Sequence, residues 1–258
     1  MPDKPDIQQR RFAATRKEDT HTVDITLILP TYNERDNIVP LIQRSLNALA
    51  AYQTEVLVVD DDSPDGTWRL VSELAERDSR VRLIRRTEER GLTSAILTGI
   101  QAARGAWVGW MDCDLSMPPE QLPQLAAELA RGADMAIGSR YVPGGRDVAH
   151  GWIGLGFSRT INLMASLLLG WRIKDYTSGF ILARRQVFER IQLRGDYGEY
   201  CIDMLYRAQR AGFRIVEVPY TCVPRRTGQS KTATHPLGYI KRGWKYVLTI
   251  LRLRFARQ

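Results

Sequence analysis

Cysteine is scarce in this chain, and long apolar runs are missing from it. The 258 residues include three cysteines, Cys113, Cys201 and Cys222, which stand far apart. This spacing offers neither a disulfide framework nor a zinc-binding sequence motif, and it favours a reducing compartment. No stretch reaches the roughly 18 consecutive apolar residues of a membrane-spanning helix, so the sequence predicts none. Residues 1–22 are polar and mixed in charge, which predicts a disordered extension rather than a signal peptide or an anchor.

Acidic residues are absent from the last part of the sequence. From Val218 to Gln258 there are nine basic residues and no acidic ones, whereas the rest of the chain has 28 basic and 29 acidic residues. The net charge of +8 therefore resides in this segment. A near-neutral body with a basic end predicts an anionic partner there, whether phosphate groups, lipid headgroups or nucleic acid.

Short apolar segments alternate with segments of helical periodicity through residue 140. The predicted strands are 23–29, 55–59, 80–85, 106–111 and 134–138, and Pro30 is expected to stop the first of them. The predicted helices are 38–49, 68–74, 91–103 and 118–130. This alternation predicts an α/β fold in which helices flank a mostly parallel sheet with right-handed crossovers.

Two carboxylates one residue apart, Asp112 and Asp114, follow the fourth predicted strand. Ligands of open α/β sheets bind beyond the carboxyl ends of the strands, which is where these acids would lie. Paired carboxylate oxygens suit a divalent cation such as Mg²⁺, which shares its other coordination positions with water and substrate phosphates. The alternative interpretation is a solvated turn before the next helix, because this short pattern is common by itself.

Two further strand ends carry polar residues that would reach the same edge of the sheet. Tyr32 and Glu34 follow the first strand, and the run from Asp60 to Asp65 follows the second. Tyr32 could lie against a nucleotide base, and Asp61 could accept a hydrogen bond from a base or a ribose hydroxyl. The acidic run also suits a turn and a helix cap, which fits Asp65 better than Asp61.

Six short motifs occur in an order that resembles one family of enzymes. They are Pro30-Thr31-Tyr32-Asn33-Glu34, Asp60-Asp61-Asp62-Ser63-Pro64-Asp65-Gly66-Thr67, Asp112-Cys113-Asp114-Leu115-Ser116, Gly138-Ser139-Arg140-Tyr141, Thr177-Ser178-Gly179-Phe180 and Gly228-Gln229-Ser230-Lys231. Together they resemble the dolichyl- or polyprenyl-phosphate mannosyltransferases of the inverting GT-A glycosyltransferases. The resemblance implies a Rossmann-like GT-A domain over residues 23–235.

The resemblance also implies a reaction and a set of site residues. GDP-mannose would donate mannose to a polyprenyl or dolichyl phosphate, with Mg²⁺ or Mn²⁺ as cofactor. The implied catalytic residues are Asp112, Asp114 and Arg140, and the implied metal ligands are Asp112, Asp114 and Ser116. The implied donor-binding residues are Pro30, Tyr32, Glu34, Val59, Asp61, Asp112, Cys113, Asp114, Ser116, Arg140, Arg225 and Lys231. The implied acceptor-phosphate residues are Ser158 and Arg159.

Alternatives to this function remain open at the level of sequence. A related enzyme could use another nucleotide sugar, such as UDP-glucose, with the same lipid. Asp203, where the family has an acid on a helix, is expected to position other groups rather than to act as a base. A scaffold module without turnover is disfavoured, because all three strand ends keep their acids. A nucleic-acid partner is not predicted, because no recognition motif accompanies the basic segment.

Three segments after residue 150 bear on the partners. Residues 151–171 are strongly apolar and predict either core packing or a membrane-interface segment. Residues 225–234 predict a mobile loop that closes over the donor diphosphate through Arg225 and Lys231. Residues 236–258 predict a basic amphipathic helix that lies on an anionic membrane, on the protein itself or on an integral-membrane subunit. The predicted location is peripheral, at the cytoplasmic face of a membrane.

Overall fold

The protein folds around a seven-stranded sheet in a computed structural model that describes residues 23–227 and 236–255. The strands are β1 (Ile25–Thr31), β2 (Thr54–Asp60), β3 (Val81–Arg85), β4 (Trp107–Trp110), β5 (Met135–Ser139), β6 (Arg146–Asp147), β7 (Ile181–Arg184), β8 (Ile215–Pro219) and β9 (Thr221–Cys222). The helices are α1 (Arg35–Ala48), α2 (Thr67–Arg77), α3 (Leu92–Ala102), α4 (Leu122–Ala130), α5 (Trp152–Leu169), α6 (Arg185–Arg190), α7 (Glu199–Arg210) and α8 (Pro236–Phe255). A 3₁₀ turn at Pro119–Gln121 precedes α4.

The sheet has the strand order β3-β2-β1-β4-β7-β5-β8. Neighbouring strands are parallel except around β7, which runs antiparallel to both β4 and β5. The prediction of a mostly parallel sheet flanked by helices is therefore confirmed. Because β1, β2 and β4 run in one direction, their carboxyl ends meet at one edge of the sheet.

Two apolar clusters cover the two faces of the sheet. One cluster takes Ile38 from α1, Val71 from α2 and Leu125 from α4. The other takes Ile96 from α3, Ile161 from α5, Leu205 from α7 and Ile250 from α8. Strand β1 supplies both, with Leu27 in the first cluster and Ile28 in the second, as alternation along a strand requires.

The first strand continues through Pro30, where the sequence predicted its end. Pro30 lies opposite Val59 of β2. On the other side of β1, the register with β4 includes only Ile25 to Ile28. Beyond Ile28 that side of the strand has no ladder to disrupt, so a residue without an N–H is tolerated there.

Helix α5 corrects the expectation that no segment could span a membrane. Its 18 residues have a mean hydropathy of 1.2, so it is long and apolar enough by length and composition alone. Polar and glycine residues interrupt its apolar runs, which is why counting consecutive residues missed it. A third of the helix is buried. Ile161 and Leu169 enter the core, whereas Leu163 and Leu167 are exposed.

Helix α8 occupies the segment for which the sequence predicts an amphipathic helix. It packs on α5 and α7, and Tyr246, Val247 and Ile250 face the core. On its other side, apolar side chains recur every three or four residues and are exposed: Trp244, Leu248, Leu251 and Phe255. Such spacing forms one continuous apolar stripe. The side chains of residues 236–242 and the structure of 256–258 lie outside the description.

A substitution in β4 tests the close packing at the centre of the sheet. A Cβ at Gly109 would overlap the carbonyl oxygen of Ile181 on β7 and approach the Leu182 side chain. Because a central backbone cannot shift freely, Gly109→Ala should lower the free energy of unfolding by about 3 kcal/mol, measured by urea denaturation.

The matched control is Gly156→Ala in α5, where a Cβ would meet no atom within 4 Å. Alanine in a helix is favoured over glycine, so this variant should be unchanged or more stable by up to about 1 kcal/mol. Equal losses in the two variants would contradict the packing argument.

Candidate active site

A cavity of about 830 Å³ lies at the carboxyl edge of β1, β2 and β4. Its size is that of a pocket for a nucleotide-sized ligand. One wall consists of the strand ends, with Pro30, Tyr32, Glu34, Asp61, Asp112, Cys113, Asp114 and Ser116. The opposite wall comes from α5, from the segment before α7 and from α8, with Gly154, Phe157, Ser158, Ile161, Tyr197, Gly198 and Tyr246.

The loops after the three strand ends share an unusual backbone conformation. Asn33, Asp62 and Leu115 have positive φ angles of 55°, 56° and 63°. Asparagine and aspartate adopt this left-handed conformation readily, whereas a bulky residue such as Leu115 adopts it rarely, at a cost of about 1–2 kcal/mol. Such strain concentrates at functional sites, where surrounding contacts impose it. The loop that contains Leu115 is therefore held in shape by its neighbours.

The motif that follows β2 is mainly a brace for the loop that follows β1. The Ser63 hydroxyl accepts a hydrogen bond from the N–H of Asn33 at 2.9 Å, and the Thr67 hydroxyl accepts one from the N–H of Glu34 at 3.0 Å. The Asp65 carboxylate accepts from the N–H of Arg35 at 3.1 Å and of Thr67 at 2.9 Å, so Asp65 forms a turn before α2, whose N-cap is Gly66 and not Asp65. These bonds set the position of Tyr32 and Glu34.

Asp61 faces the cavity and is fixed by two protein donors. The Arg86 Nε donates to Oδ1 at 2.7 Å, and the N–H of Gly91 donates to Oδ2 at 2.8 Å. A carboxylate with two such donors keeps lone pairs for a ligand. The guanidinium of Arg90 lies 5.1 Å from the centre of the Tyr32 ring, so a cation that the sequence did not predict lines the same end of the cavity.

Asp112 and Asp114 lie at the centre of the site, directly after β4. Enclosure by protein and, to a lesser extent, the Asp114 carboxylate raise the pKa of Asp112 to about 7, although Asp112 remains exposed to the cavity. Asp114 accepts from the Arg225 Nη2 at 2.8 Å and from the N–H of Ser116 at 3.0 Å. Two acids that repel each other inside a cavity are a suitable place for a divalent cation.

Arg140 lines the cavity but is extensively bound by the protein. Its Nε and Nη2 each donate to Asp175 at 2.8 Å, its Nη2 also donates to Thr177 at 2.9 Å, and its Nη1 lies 3.2 Å from Asp147. The side chain of Arg140 is 8% exposed. Arg140 therefore joins the end of β5 to the loop before β7, and it would have to share its donors to contact a phosphate.

Two predicted site residues, Val59 and Arg159, do not line the cavity. Val59 is fully buried in the core cluster on the α3 side, because alternation along β2 turns it away from the loop. Arg159 is exposed on α5, whereas its neighbour Ser158 lines the cavity and accepts from the Tyr141 hydroxyl at 2.8 Å. Lys231 lies outside the described residues, so its role stays a prediction.

Several cavity residues were missed from the sequence. Thr177 and Gly179 belong to a motif whose role was not assigned, and Tyr246 comes from α8. Tyr200 is a buried wall residue whose hydroxyl accepts from the Trp110 indole N–H at 2.8 Å. Asp203 does not line the cavity and instead forms an ion pair with Arg207 one helical turn away.

Comparisons with known sequences identify the class. Residues 26–192 match the model of glycosyl transferase family 2. The polyprenol monophosphomannose synthase of Mycolicibacterium smegmatis is 44% identical over 225 residues, which cover 83% of this chain and 84% of that protein. The dolichol-phosphate mannosyltransferase of Pyrococcus furiosus is 39% identical over 214 residues, which cover 80% of this chain but only 58% of that protein. The dolichol-phosphate mannosyltransferase of Saccharomyces cerevisiae is 34% identical over 220 residues, which cover 81% of each chain.

Solved structures agree on the architecture. Glucosyl-3-phosphoglycerate synthase from Mycobacterium tuberculosis, in complex with Mn²⁺, UDP-glucose and phosphoglyceric acid, superposes with a TM-score of 0.67 at 19% identity, covering 92% of this chain and 81% of that one. At this identity the likeness shows the fold alone. The fold and the family match together define a glycosyltransferase with a GT-A-like fold. The chain belongs to glycosyl transferase family 2, and the relatives named above are mannosyltransferases or a mannose synthase named for polyprenol or dolichol phosphate.

Replacing Asp112 tests the repulsion at the centre of the site. The folded state raises the pKa of Asp112 from 3.8 to about 7, so its ionisation destabilises the fold increasingly as pH rises between these values. Asp112→Asn should therefore stabilise the metal-free protein at about pH 8, by on the order of 1 kcal/mol after screening by cavity water. The gain should shrink at about pH 5. Thermal denaturation in a chelating buffer measures both.

Added Mg²⁺ or Mn²⁺ provides the complementary measurement. Either ion should raise the melting temperature of the wild type, because it binds the folded state, and should raise that of Asp112→Asn less. A variant less stable than the wild type at high pH without metal would show that Asp112 is not under electrostatic strain.

Proposed function

We propose that this glycosyltransferase transfers mannose from GDP-mannose to a polyprenyl or dolichyl phosphate, with inversion, and releases GDP. The observation that carries the proposal is the shape of the site. One cavity has strand-end acids on one wall and, on the other, two helices that also bear exposed apolar side chains. A nucleotide sugar suits the first wall, and a lipid-linked phosphate suits the second. The names of relatives at 34–44% identity support the same reaction.

On the donor side, the nucleotide is proposed to bind along the ends of β1 and β2. Tyr32, held beside Arg90, offers a ring face for the base, and Asp61 offers carboxylate oxygens to hydroxyl groups. Val59 would contribute only through the backbone, since its side chain is buried. Arg225 donates a hydrogen bond to Asp114, and it could donate to a diphosphate oxygen instead when the nucleotide sugar is bound.

The residues present fit the divalent cation that GT-A enzymes use. Asp112 and Asp114 would hold Mg²⁺ or Mn²⁺, with Ser116 as the third predicted ligand, and the ion would offset the charge that develops on the leaving diphosphate. The raised pKa of Asp112 records a site where negative charge is in excess, which favours cation binding. Solved structures of the similarly folded synthase contain Mn²⁺ or Mg²⁺.

On the acceptor side, the nucleophile needs little help from the protein. A phosphate monoester is already anionic near neutral pH, so alignment of its oxygen with the sugar carbon is the main requirement. Ser158, which lines the cavity and accepts from the Tyr141 hydroxyl behind it, is proposed to orient this phosphate. Asp203, paired with Arg207 outside the cavity lining, is not needed as a base.

The exposed apolar residues support docking at a membrane surface. Among the side chains of residues 23–227 and 243–255, the large exposed apolar ones are confined to α5, its two flanks and α8. They are Val148, Trp152, Ile153, Leu163, Leu167, Trp171, Trp244, Leu248, Leu251 and Phe255. Basic residues such as Lys245 and Arg252 flank the α8 stripe, which suits anionic headgroups. The protein is thus proposed to act peripherally at the cytoplasmic face of a membrane, with or without an integral-membrane subunit.

The reaction is tested by offering radiolabelled GDP-mannose or UDP-glucose with polyprenyl phosphate to the purified protein, with and without Mg²⁺. Organic extraction should recover labelled lipid from GDP-mannose in the presence of Mg²⁺. Asp114→Asn should lower kcat about 100-fold or more, because the charge that supports the leaving diphosphate is lost.

Asp36→Asn, an exposed isosteric change on α1, is the matched control and should keep full activity. Label transferred from UDP-glucose but not from GDP-mannose would overturn the donor. Transfer that persists undiminished in a chelator would overturn the role of the acid pair.

Membrane docking is tested with the double variant Leu248→Ser and Leu251→Ser. Loss of two interfacial leucines should reduce binding to anionic vesicles about tenfold or more, measured by co-sedimentation, because less apolar area enters the bilayer. Leu70→Ser on α2, at the opposite face of the sheet, is the control and should bind as the wild type. Vesicle binding by the double variant equal to that of the wild type would contradict membrane docking through the α8 stripe.

A further inference from the structure

A second cluster of metal-ligating side chains lies on the cavity wall, apart from the acid pair. Asp147, His150 and Cys222 place a carboxylate oxygen, an imidazole nitrogen and a sulfur all within 4.8 Å of one another. The backbone brings them together. Strands β6 and β9 pair so that Asp147 lies opposite Cys222, and His150 follows Asp147 by one turn of chain. His150 and Cys222 both line the cavity.

The three side chains are fixed by hydrogen bonds or by burial rather than scattered over a surface. The Asp147 side chain is 1% exposed, and its Oδ1 accepts from the N–H groups of Ala149 and His150 at 3.2 Å each. The Nδ1 of His150 lies 2.9 Å from the same oxygen. Cys222 is a buried, free thiol. Only the imidazole, whose side chain is 47% exposed, has room to move.

The chemistry of this set differs from that of Asp112 and Asp114. Sulfur and imidazole ligands favour Zn²⁺ and similar ions, whereas Mg²⁺ prefers oxygen alone. Tetrahedral zinc ligands lie about 3–4 Å from one another, so the cluster must contract by about 1 Å, which the exposed imidazole can supply. Burial raises the pKa of the Cys222 thiol to about 12, so a cation must displace its proton, as Zn²⁺ does.

We propose that Asp147, His150 and Cys222 form a binding site for Zn²⁺ or a cation of similar softness. Three protein ligands leave a fourth position that faces the cavity and is open to water or an anionic ligand. The positive charge of Arg140, 3.2 Å from Asp147, is offset by its two bonds to Asp175. Occupancy would draw Asp147 away from Arg140 and so connect this site to the floor of the cavity.

Cobalt titration of the full chain, with any affinity tag removed, tests the proposal. Co²⁺ replaces Zn²⁺ and gives a thiolate-to-cobalt charge-transfer band that oxygen ligands do not give. The wild type should show this band at one equivalent of Co²⁺, and Zn²⁺ should abolish it by displacement. Cys222→Ser should lack the band, while Cys113→Ser, the matched change beside the acid pair, should keep it.

His150→Ala should weaken Zn²⁺ affinity about tenfold or more, measured by competition with a chromophoric chelator, because removal of a direct ligand should cost at least as much as loss of an outer-shell partner. Thermal denaturation without metal establishes that Cys222→Ser is folded. Absence of the band in the wild type, its survival in Cys222→Ser or its loss in Cys113→Ser would overturn the site. The readout is binding alone, so it stands whether or not mannosyl transfer is found.

Discussion

Mutual repulsion between Asp112 and Asp114 is the constraint around which this site is built. Four acids in or beside the cavity have arginine partners: Asp61 has Arg86, Asp114 has Arg225, and Asp147 and Asp175 share Arg140. Among the residues that the structure describes, no arginine or lysine forms an ion pair with Asp112. Enclosure and the Asp114 carboxylate raise the pKa of Asp112 to about 7, and the nearby charges of Arg225 and Arg140 offset this rise only in part. Breaking a buried ion pair is costly, so the acids that are paired with arginines stay paired. Asp112 is then the carboxylate at which an added cation gains the most binding free energy.

The elements that the sequence predicts well are those whose signal is local. Apolar strands that end in acids, and helices of regular period between them, suffice to predict the parallel half of the sheet and its functional edge. Strand β7 was not predicted, because its antiparallel insertion between β4 and β5 depends on pairing across the fold. Pro30 is similar, since its tolerance depends on where the register with β4 stops. The hydrogen bonds between Arg140 and Asp175 join residues 35 positions apart, which no sequence pattern connects.

Helices α5 and α8 both line the cavity and carry exposed apolar side chains, so they connect the cavity with the exposed apolar surface. A Cβ at Gly243 of α8 would lie 2.7 Å from the Phe157 ring of α5, and a Cβ at Gly198 would overlap the Tyr246 hydroxyl of α8. Phe157, Gly198 and Tyr246 all line the cavity. Helix α8 lines the cavity on one side and carries the apolar stripe on the other. A surface that binds this stripe would therefore also fix the position of the cavity wall that α8 forms. An acceptor whose phosphate is polar and whose tail is apolar matches such a boundary.

The two candidate cation sites differ in hardness within one cavity, and this difference sets what each can bind. Asp112 and Asp114 present oxygen alone, so hard ions that keep water and phosphate ligands are favoured there. Asp147, His150 and Cys222 present oxygen, nitrogen and sulfur, so softer ions are favoured. The cysteine spacing contains no zinc motif, because the β6–β9 ladder, and not chain proximity, joins Cys222 to Asp147. Since Asp147 also contacts Arg140, a cation bound by Asp147, His150 and Cys222 would act on the arginine that joins the Thr177 loop to the end of β5.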